Sequence, residues 1–344
     1  MQEQELADAS WTRGAAETDD PVDSPTKRRP AAIQVRYYNA DQDPPDASGV
    51  LAVVHFGSTA APAIGASIAI GVDLAPVSGS PHGEYWLANG SVHANQSGRV
   101  RYAHDDHCLF AVIEQDEQSH GGIGATAASV YNEMQRFQQS SPFPHLLRMW
   151  NYLDDINEGA GDLERYREFC VGRVRGLGPT IAERLPAATA IGRQRKTGQL
   201  QVFWLAGRRA GAAVENPRQV SAYRYPRVHG PVSPSFSRAT RAPDGTVLIS
   251  GTASIVGHVS QHHDNPLEQF EETLRNLAAL TAHAGAARSA HAPELFKVYV
   301  RDPAYAAPIE QRLSEVYPGS RTMLLEADIC RRELAVEIEG VLPR

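Results

Sequence analysis

From about residue 31 the chain alternates apolar runs of strand length with segments of helical period. "VLAVVHFG" (50–57) and "HCLFAVIEQ" (107–115) read as strands. In "GATAASVYNEMQRFQQS" (124–140), Ala127, Val130, Met134 and Phe137 recur at the three- and four-residue steps that share a helix face. A strand "HLLRMWNYLDDI", a helix around "DLERYREFCVGRVRGLG" and a strand pair ending in "LQVFWLAG" complete a first half. After the Pro-rich stretch "ENPRQVSAYRYPRVHGPVSPSF" the order recurs: strands "FSRATRA" and "GTVLISGTASI", helix "PLEQFEETLRNLAALTAHAG", strand "LFKVYVRDP", helix "IEQRLSEVY", then strands "RTMLLEADI" and "LAVEIEG". "PHLLRMWNYLDD" and "APELFKVYVRDP" each follow a long helix and precede a shorter helix and a terminal hairpin, which predicts two copies of one unit. The fold class expected is α+β: two related domains, 31–207 and 208–344, each a mixed, largely antiparallel sheet covered on one face by helices. Residues 1–30 are polar, acidic and Pro-punctuated, and read as a flexible tail.

The last strand raises a question of chemistry. In "LAVEIEG" Leu334, Val336 and Ile338 share one face, and Ala335, Glu337 and Glu339 the other. Alternation alone leaves two readings for the acids: a solvated face, or a carboxylate aimed at something that needs it. The first copy serves as an internal control. There "LQVFWLAG" sets Val202, Phe203, Trp204 and Leu205 where the second copy has Val336, Glu337, Ile338 and Glu339, so the unit does not require acids for folding.

Composition narrows the classes. The 344 residues hold 42% hydrophobic and 21% charged side chains with a net charge of -7, which describes a globular protein with no electrostatic footprint for nucleic acid. Short basic clusters such as "TKRRP" and "GRQRK" lack interleaved aromatics. Cys108, Cys170 and Cys330 are odd in number and far apart, so neither a disulfide framework nor a metal-knuckle spacing is present. No apolar run reaches the ~20 residues of a membrane span, and the start has no signal-peptide pattern; the expected location is the cytoplasm. The histidines of "HDDHC" and "GHVSQHH" lack a helical zinc spacing and read as turn or edge residues, and "GGIGATAAS" lacks the Lys-Ser/Thr of a phosphate loop.

Residues from about 231 to 340 resemble the reactive-intermediate deaminase family, small proteins of chorismate-mutase-like fold. "VLISGTASI", a helix bearing Gln269 and Asn276, "FKVYVRDP" and "VEIEG" carry the likeness. Ser250, Gly251 and Glu337 match that family's carboxylate-binding pocket, whereas Arg321 stands one residue from the family's arginine, so deaminase activity does not follow. A wider resemblance rests on "NYLDDINEG", "ERYREFCVGR", "ENPRQVSAYRYPR", "SPSFSRA", "SGTASIVGH" and "ADICRRELAVEIEG", six segments in order across both halves, which are similar to the chorismatase family. That resemblance implies removal of the enolpyruvyl group of chorismate as pyruvate, with neither metal nor organic cofactor.

Cleaving an enol ether begins with protonation of its terminal methylene, which calls for an acid of raised pKa. Glu337, on an apolar strand beside two substrate carboxylates, has both desolvation and like charge to raise it, and the family's catalytic glutamate falls there. Glu339, one pleat on, reads as a solvated strand-end acid. Cys330 alone reads as a packing cysteine; the resemblance pairs it with Gly251 as small pocket residues of the 3-hydroxybenzoate-forming type. The alternatives are hydrolysis to a dihydroxycyclohexadiene carboxylate and a non-catalytic metabolite-binding protein. Two substrate carboxylates need guanidinium and hydroxyl anchors, for which Tyr152, Arg165, Tyr223, Arg224, Arg227 and Arg301 are the candidates, with Arg167 and Tyr225 beside them. Deaminase sites form between subunits of a trimer; here a duplicated copy could shield that surface, so a monomer is expected.

Overall fold

The computed structural model describes residues 33–39, 49–58, 60–77, 79–179, 184–286 and 293–344. The expected tail, with its "TKRRP" cluster, lies outside them. Four strands come first: β1 (Gln34–Tyr38), β2 (Val50–Phe56), β3 (Ile68–Val72) and β4 (Gly83–Leu87). Next are β5 (His93–Ser97), β6 (Val100–His104), β7 (Cys108–Asp116), α1 (Ile123–Ser140), β8 (His145–Asp154), α2 (Arg165–Leu177), β9 (Ala187–Arg193) and β10 (Gln199–Gly207). A third group holds β11 (Ala212–Val214), β12 (Ala239–Arg241), β13 (Val247–Ala253), the small hairpin β14 (Ile255–Val256) and β15 (Val259–Ser260), and α3 (Pro266–His283). It continues with β16 (Leu295–Val300), α4 (Ala306–Val316), β17 (Arg321–Glu326), β18 (Asp328–Ile329) and β19 (Val336–Leu342).

The three large sheets share one motif. Their strand orders contain β1-β4-β2-β3, β7-β10-β8-β9 and β13-β19-β16-β17. In each, the first two pairs are antiparallel and the third is parallel. The expected duplication therefore undercounts: residues 34–87, assigned from sequence to the N-terminal domain, build a third sheet of the same order. The described residues 60–67 form no helix where the other two copies carry α2 and α4. The boundary at 207/208 is also crossed, because β18 joins the second sheet by pairing with β9.

Each long helix buries its periodic face. Ala127, Val130, Met134 and Phe137 of α1 pack on Met149, Val202 and Trp204, and α3 and α4 cover Val336, Ile338 and Leu342 of β19. Asn265 starts α3 by accepting the amide of Glu268, with Pro266 following where a missing N–H costs nothing. The opposite faces of all three sheets close on one core containing Phe56, Trp86, Phe110, Trp150, Phe203, Tyr299 and Leu325. Trp86 meets Trp150 edge to face at 5.3 Å. Because side chains alternate, Glu337 and Glu339 are turned away from their own helices and toward the second sheet.

Strand pairing also corrects the internal comparison. Tyr152 of β8 lies opposite Gln201, and Tyr299 of β16 opposite Glu337; Trp150 faces Phe203 as Lys297 faces Glu339. Gln201 and Phe203 are thus the counterparts of Glu337 and Glu339. The shift is two residues, which preserves the face and the conclusion that the unit folds without acids there.

Candidate active site

The β13–β19 ladder breaks register between Ile249 and Thr252, so that Ser250 and Gly251 together oppose Glu339. Both freed amides find acceptors outside the ladder. Ser250 donates to the Arg238 carbonyl at 3.0 Å, and Gly251 to Thr189 Oγ1 of β9 at 3.0 Å. The Glu337 carboxylate rests against this bulge. A Cβ at Gly251 would occupy the space of Glu337 Oε1 and press on Thr189 Cγ2 at 3.3 Å, so glycine here is a matter of room. Glu337 is 4% exposed, and no described group is hydrogen-bonded to its carboxylate. Burial raises its proton affinity, the charge of Glu339 adds to that, and Arg148 and Arg238 oppose it; the result is a pKa of about 8.

Glu337, Gly251 and Cys330 line one cavity of about 150 Å³ between the second and third sheets, far more than the ~10–15 Å³ a single water needs. Thr189 of β9, Tyr166 and Arg173 of α2, Tyr225, Phe236 and Arg238 of the linking segment, and Arg331 beyond β18 complete much of its wall. Tyr166, Cys170 and Arg173 share a face of α2. That helix can lie close on α1 because Gly172 and Gly176 leave no side chain where the α1 backbone passes.

Three guanidinium groups in this wall are only partly committed. Arg173 donates to the Ser235 carbonyl at 2.8 Å; Arg238 donates to the Val220 carbonyl at 2.9 Å and Tyr225 Oη at 2.7 Å; Arg331 donates to the His258 carbonyl and Ser260 Oγ, both at 3.0 Å. Yet Nε of Arg173, Nε of Arg238 and Nη2 of Arg331 are buried without a hydrogen-bond partner. Buried donors are normally satisfied, and three guanidinium groups in one cavity wall, each with hydrogen-bonding capacity to spare, suit an anionic ligand. Rings hold the planes in place: Arg238 lies 5.5 Å from Tyr225 and 5.3 Å from Phe236, and Arg331 lies 5.2 Å from Tyr225. Burial, with Glu337 nearby, pushes the Cys330 thiol well above its ordinary pKa, so it is a neutral wall rather than a thiolate. At the rim His229 meets His258 at 3.0 Å; burial and Arg331 push His229 down to about 4, leaving it uncharged at neutral pH.

Glu339 is no solvated strand-end acid. At 4% exposure it accepts from Lys297 Nζ at 2.9 Å, Arg148 Nη2 at 2.9 Å and Trp150 Nε1 at 2.8 Å. Lys297 in turn lies 2.7 Å from Glu84 of β4. Burial by itself would raise the pKa of Glu339, but Lys297 and then Arg148 outweigh it and hold it near 2.

Of the anchors chosen from sequence, Tyr225 and Arg167 line the cavity, and the other six lie elsewhere. Tyr152 is buried in the shared core, its hydroxyl 2.9 Å from that of Tyr299. Arg165 donates to the Asp154 carbonyl at 2.9 Å and to Glu117 at 2.7 Å, away from the cavity. Tyr223, Arg224 and Arg227 belong to the right segment but do not line the cavity: Tyr223 is half-buried, Arg224 is exposed, and Arg227, 64% exposed, forks onto Asp162. Arg301 spends its guanidinium on five acceptors, the Leu334, Ile329 and Arg331 carbonyls, Asp328 and Asn157, which tie down the segment before β19. Arg321 is exposed at the start of β17. Missed from sequence were Arg173, Arg238 and Arg331. Arg238 and Arg331 sit inside the quoted segments "SPSFSRA" and "ADICRREL", and the signal for Arg173 was its helical spacing from Tyr166 and Cys170 on a buried face.

A family model described as "Chorismatase FkbO/Hyg5-like, N-terminal" matches residues 84–206. A 3-hydroxybenzoate synthase of Streptomyces hygroscopicus is 33% identical over 79% of this chain and 84% of its own length. A chorismatase of Streptomyces rapamycinicus is 35% identical over 75% of this chain and 81% of its own. A chorismatase crystal structure superposes with a TM-score of 0.79 at 29% identity, covering 90% of this chain and 98% of the other.

Proposed function

The chain belongs to the chorismatase family, and from that premise we propose that it cleaves chorismate to 3-hydroxybenzoate and pyruvate in the cavity between its second and third sheets. One observation carries the reading: a buried carboxylic acid that keeps its proton at neutral pH lines a cavity whose wall holds three guanidinium groups that are only partly committed. Arg173, Arg238 and Arg331 receive the two substrate carboxylates, which are the kind of planar anion a guanidinium fork fits. Glu337 gives its proton to the terminal methylene of the enolpyruvyl ether, which becomes the methyl group of pyruvate. The neighbouring ring hydroxyl then forms a bond to the ether-bearing ring carbon. The ether C–O bond breaks with its electron pair moving to oxygen, which leaves as the carbonyl of pyruvate. The hydroxyl proton returns to Glu337, and the arene-oxide-like product opens and rearomatises to 3-hydroxybenzoate, so no water is consumed. Gly251 and Cys330 shape the wall beside the acid, and their pairing is the feature that favours the internal route over hydrolysis.

Product analysis of purified enzyme with chorismate tests this. Equimolar pyruvate and 3-hydroxybenzoate are expected. A dihydroxycyclohexadiene carboxylate would replace the internal route with hydrolysis, and absence of pyruvate would overturn the reading as an enzyme. Glu337→Gln should abolish turnover while chorismate still binds; retained turnover would remove Glu337 as the acid.

A further inference from the structure

Glu339 is a second buried carboxylate on the cavity strand, and the reaction as written does not use it. It sits two residues from Glu337 on the same face, so the two residues are about 7 Å apart along the strand, and both side chains are buried. Its partners come from all three copies of the fold: Lys297 beside it on β16, Arg148 and Trp150 on β8, and Glu84 of β4 through Lys297. Arg148 also donates to Thr189 Oγ1, the same atom that receives the Gly251 amide at the bulge where Glu337 rests. The network therefore reaches the general acid's seat through Thr189 and reaches the acid itself through charge.

We propose that Glu339 is a positioning residue that keeps the proton on Glu337: fixed as an anion by Lys297 and Arg148, it places a permanent negative charge behind the acid. The inference deepens the assignment of Glu337 as the proton donor and rests on it. The other groups around Glu337 could not do this. Tyr299 of β16 and Tyr152 of β8 are buried phenols, whose proton affinity burial raises further, and Cys330 is a neutral thiol. Arg148 of β8 and Arg238 ahead of β12 favour the anion of Glu337 and so work against retention, as do Arg173 and Arg331 across the cavity by their charge. Thr189 of β9 and Gly251 of β13 do not titrate. Glu164 and Glu333 also line the cavity, but Glu164 is paired with Arg167 and Glu333 accepts from Ser260 beside Arg331, and the carboxylate whose charge acts on Glu337 is Glu339.

The test is direct titration of the Glu337 carboxylic C=O stretch by infrared difference spectroscopy, with Glu337→Gln identifying the band. The proposal expects a midpoint well above the ordinary carboxyl range in the wild type. In Glu339→Gln the midpoint falls by at least one pH unit, and the alkaline limb of kcat/KM moves with it. Because that variant leaves Lys297 and Arg148 with excess charge, the charge-balanced Lys297→Met/Glu339→Gln chain is measured beside it, with the same fall expected. A midpoint unmoved in either folded variant, even if activity or stability drops, would overturn the proposal and show a merely structural role. A wild-type midpoint in the ordinary range would overturn it too. If the band behaves as expected while Glu337→Gln still turns over chorismate, the acid assignment fails and the charge coupling stands.

Discussion

Replacing Glu337 with glutamine should make the folded chain more stable, and only at neutral to alkaline pH. The carboxyl binds its proton more tightly folded than unfolded, at about 8 against 4.5. Below pH 4.5 both states carry the proton and the residue contributes nothing to pH dependence. Between those values the unfolded chain releases the proton while the folded chain holds it, so unfolding becomes progressively easier as pH rises, and the loss is complete once pH exceeds the folded pKa. The separation corresponds to a ceiling of about 5 kcal/mol, and relaxation around the site will reduce it. Glutamine has the shape and none of the ionisation. Urea unfolding of both proteins from pH 4 to pH 9 gives the comparison. The glutamine chain should gain on the wild type steadily from about pH 5 and level off near pH 8, reaching a difference of a few kcal/mol. A difference that stays flat across that interval would mean that Glu337 is an ordinary carboxylate in the folded chain, and the argument for its acidity would collapse.

Arg173→Met should raise KM for chorismate about 10- to 100-fold with little change in kcat, since one charge-assisted hydrogen bond is worth about 1.5–3 kcal/mol; steady-state pyruvate release reads it, and an unchanged KM would remove Arg173 from the anchors. Arg301→Ala should instead unfold more easily, by about 3 kcal/mol, because five acceptors lose their donor, with the effect visible in the denaturation midpoint. Arg227→Ala removes an exposed pair with Asp162 and should change stability by less than about 1 kcal/mol and chorismate affinity by less than about threefold. The cavity is walled by two copies from one chain, and light scattering should report a mass near the 37.4 kDa of a monomer; a trimer would contradict that expectation.

Much of the fold is legible because two copies carry strong periodicity: the helical face of Ala127, Val130, Met134 and Phe137 and the paired strands "HLLRMWNYL" and "LFKVYV" both announce themselves. The third copy escapes because its strands are only five to seven residues long, and an apolar run such as "VLAVVHF" says nothing of which sheet it joins. The acid strand is legible through alternation and the internal comparison, although pairing was needed to set the comparison in register. The arginines are not. Whether a guanidinium is free depends on which carbonyls surround it, and Arg301 and Arg173 look alike until the acceptors around each are counted. In "AYRYPR" the segment is right, and two short helical turns that the sequence does not reveal set Tyr225 in the cavity wall and leave Tyr223 and Arg227 out of it.

Threefold repetition of the sheet within one polypeptide has a consequence for how such a site can change. An assembly of three identical chains suffers every substitution three times, once at each seam between neighbours, so a change that helps one seam is imposed on all. Here the seams are encoded separately. Where the second sheet meets the first, Gln201, the counterpart of Glu337, donates across the seam to the Gly71 carbonyl of β3 at 2.9 Å and, within its own sheet, to Glu114 of β7 at 2.6 Å. Freed from symmetry, one seam keeps an acid that costs stability above neutral pH while another is tied by a buried amide, and each can be altered without disturbing the other.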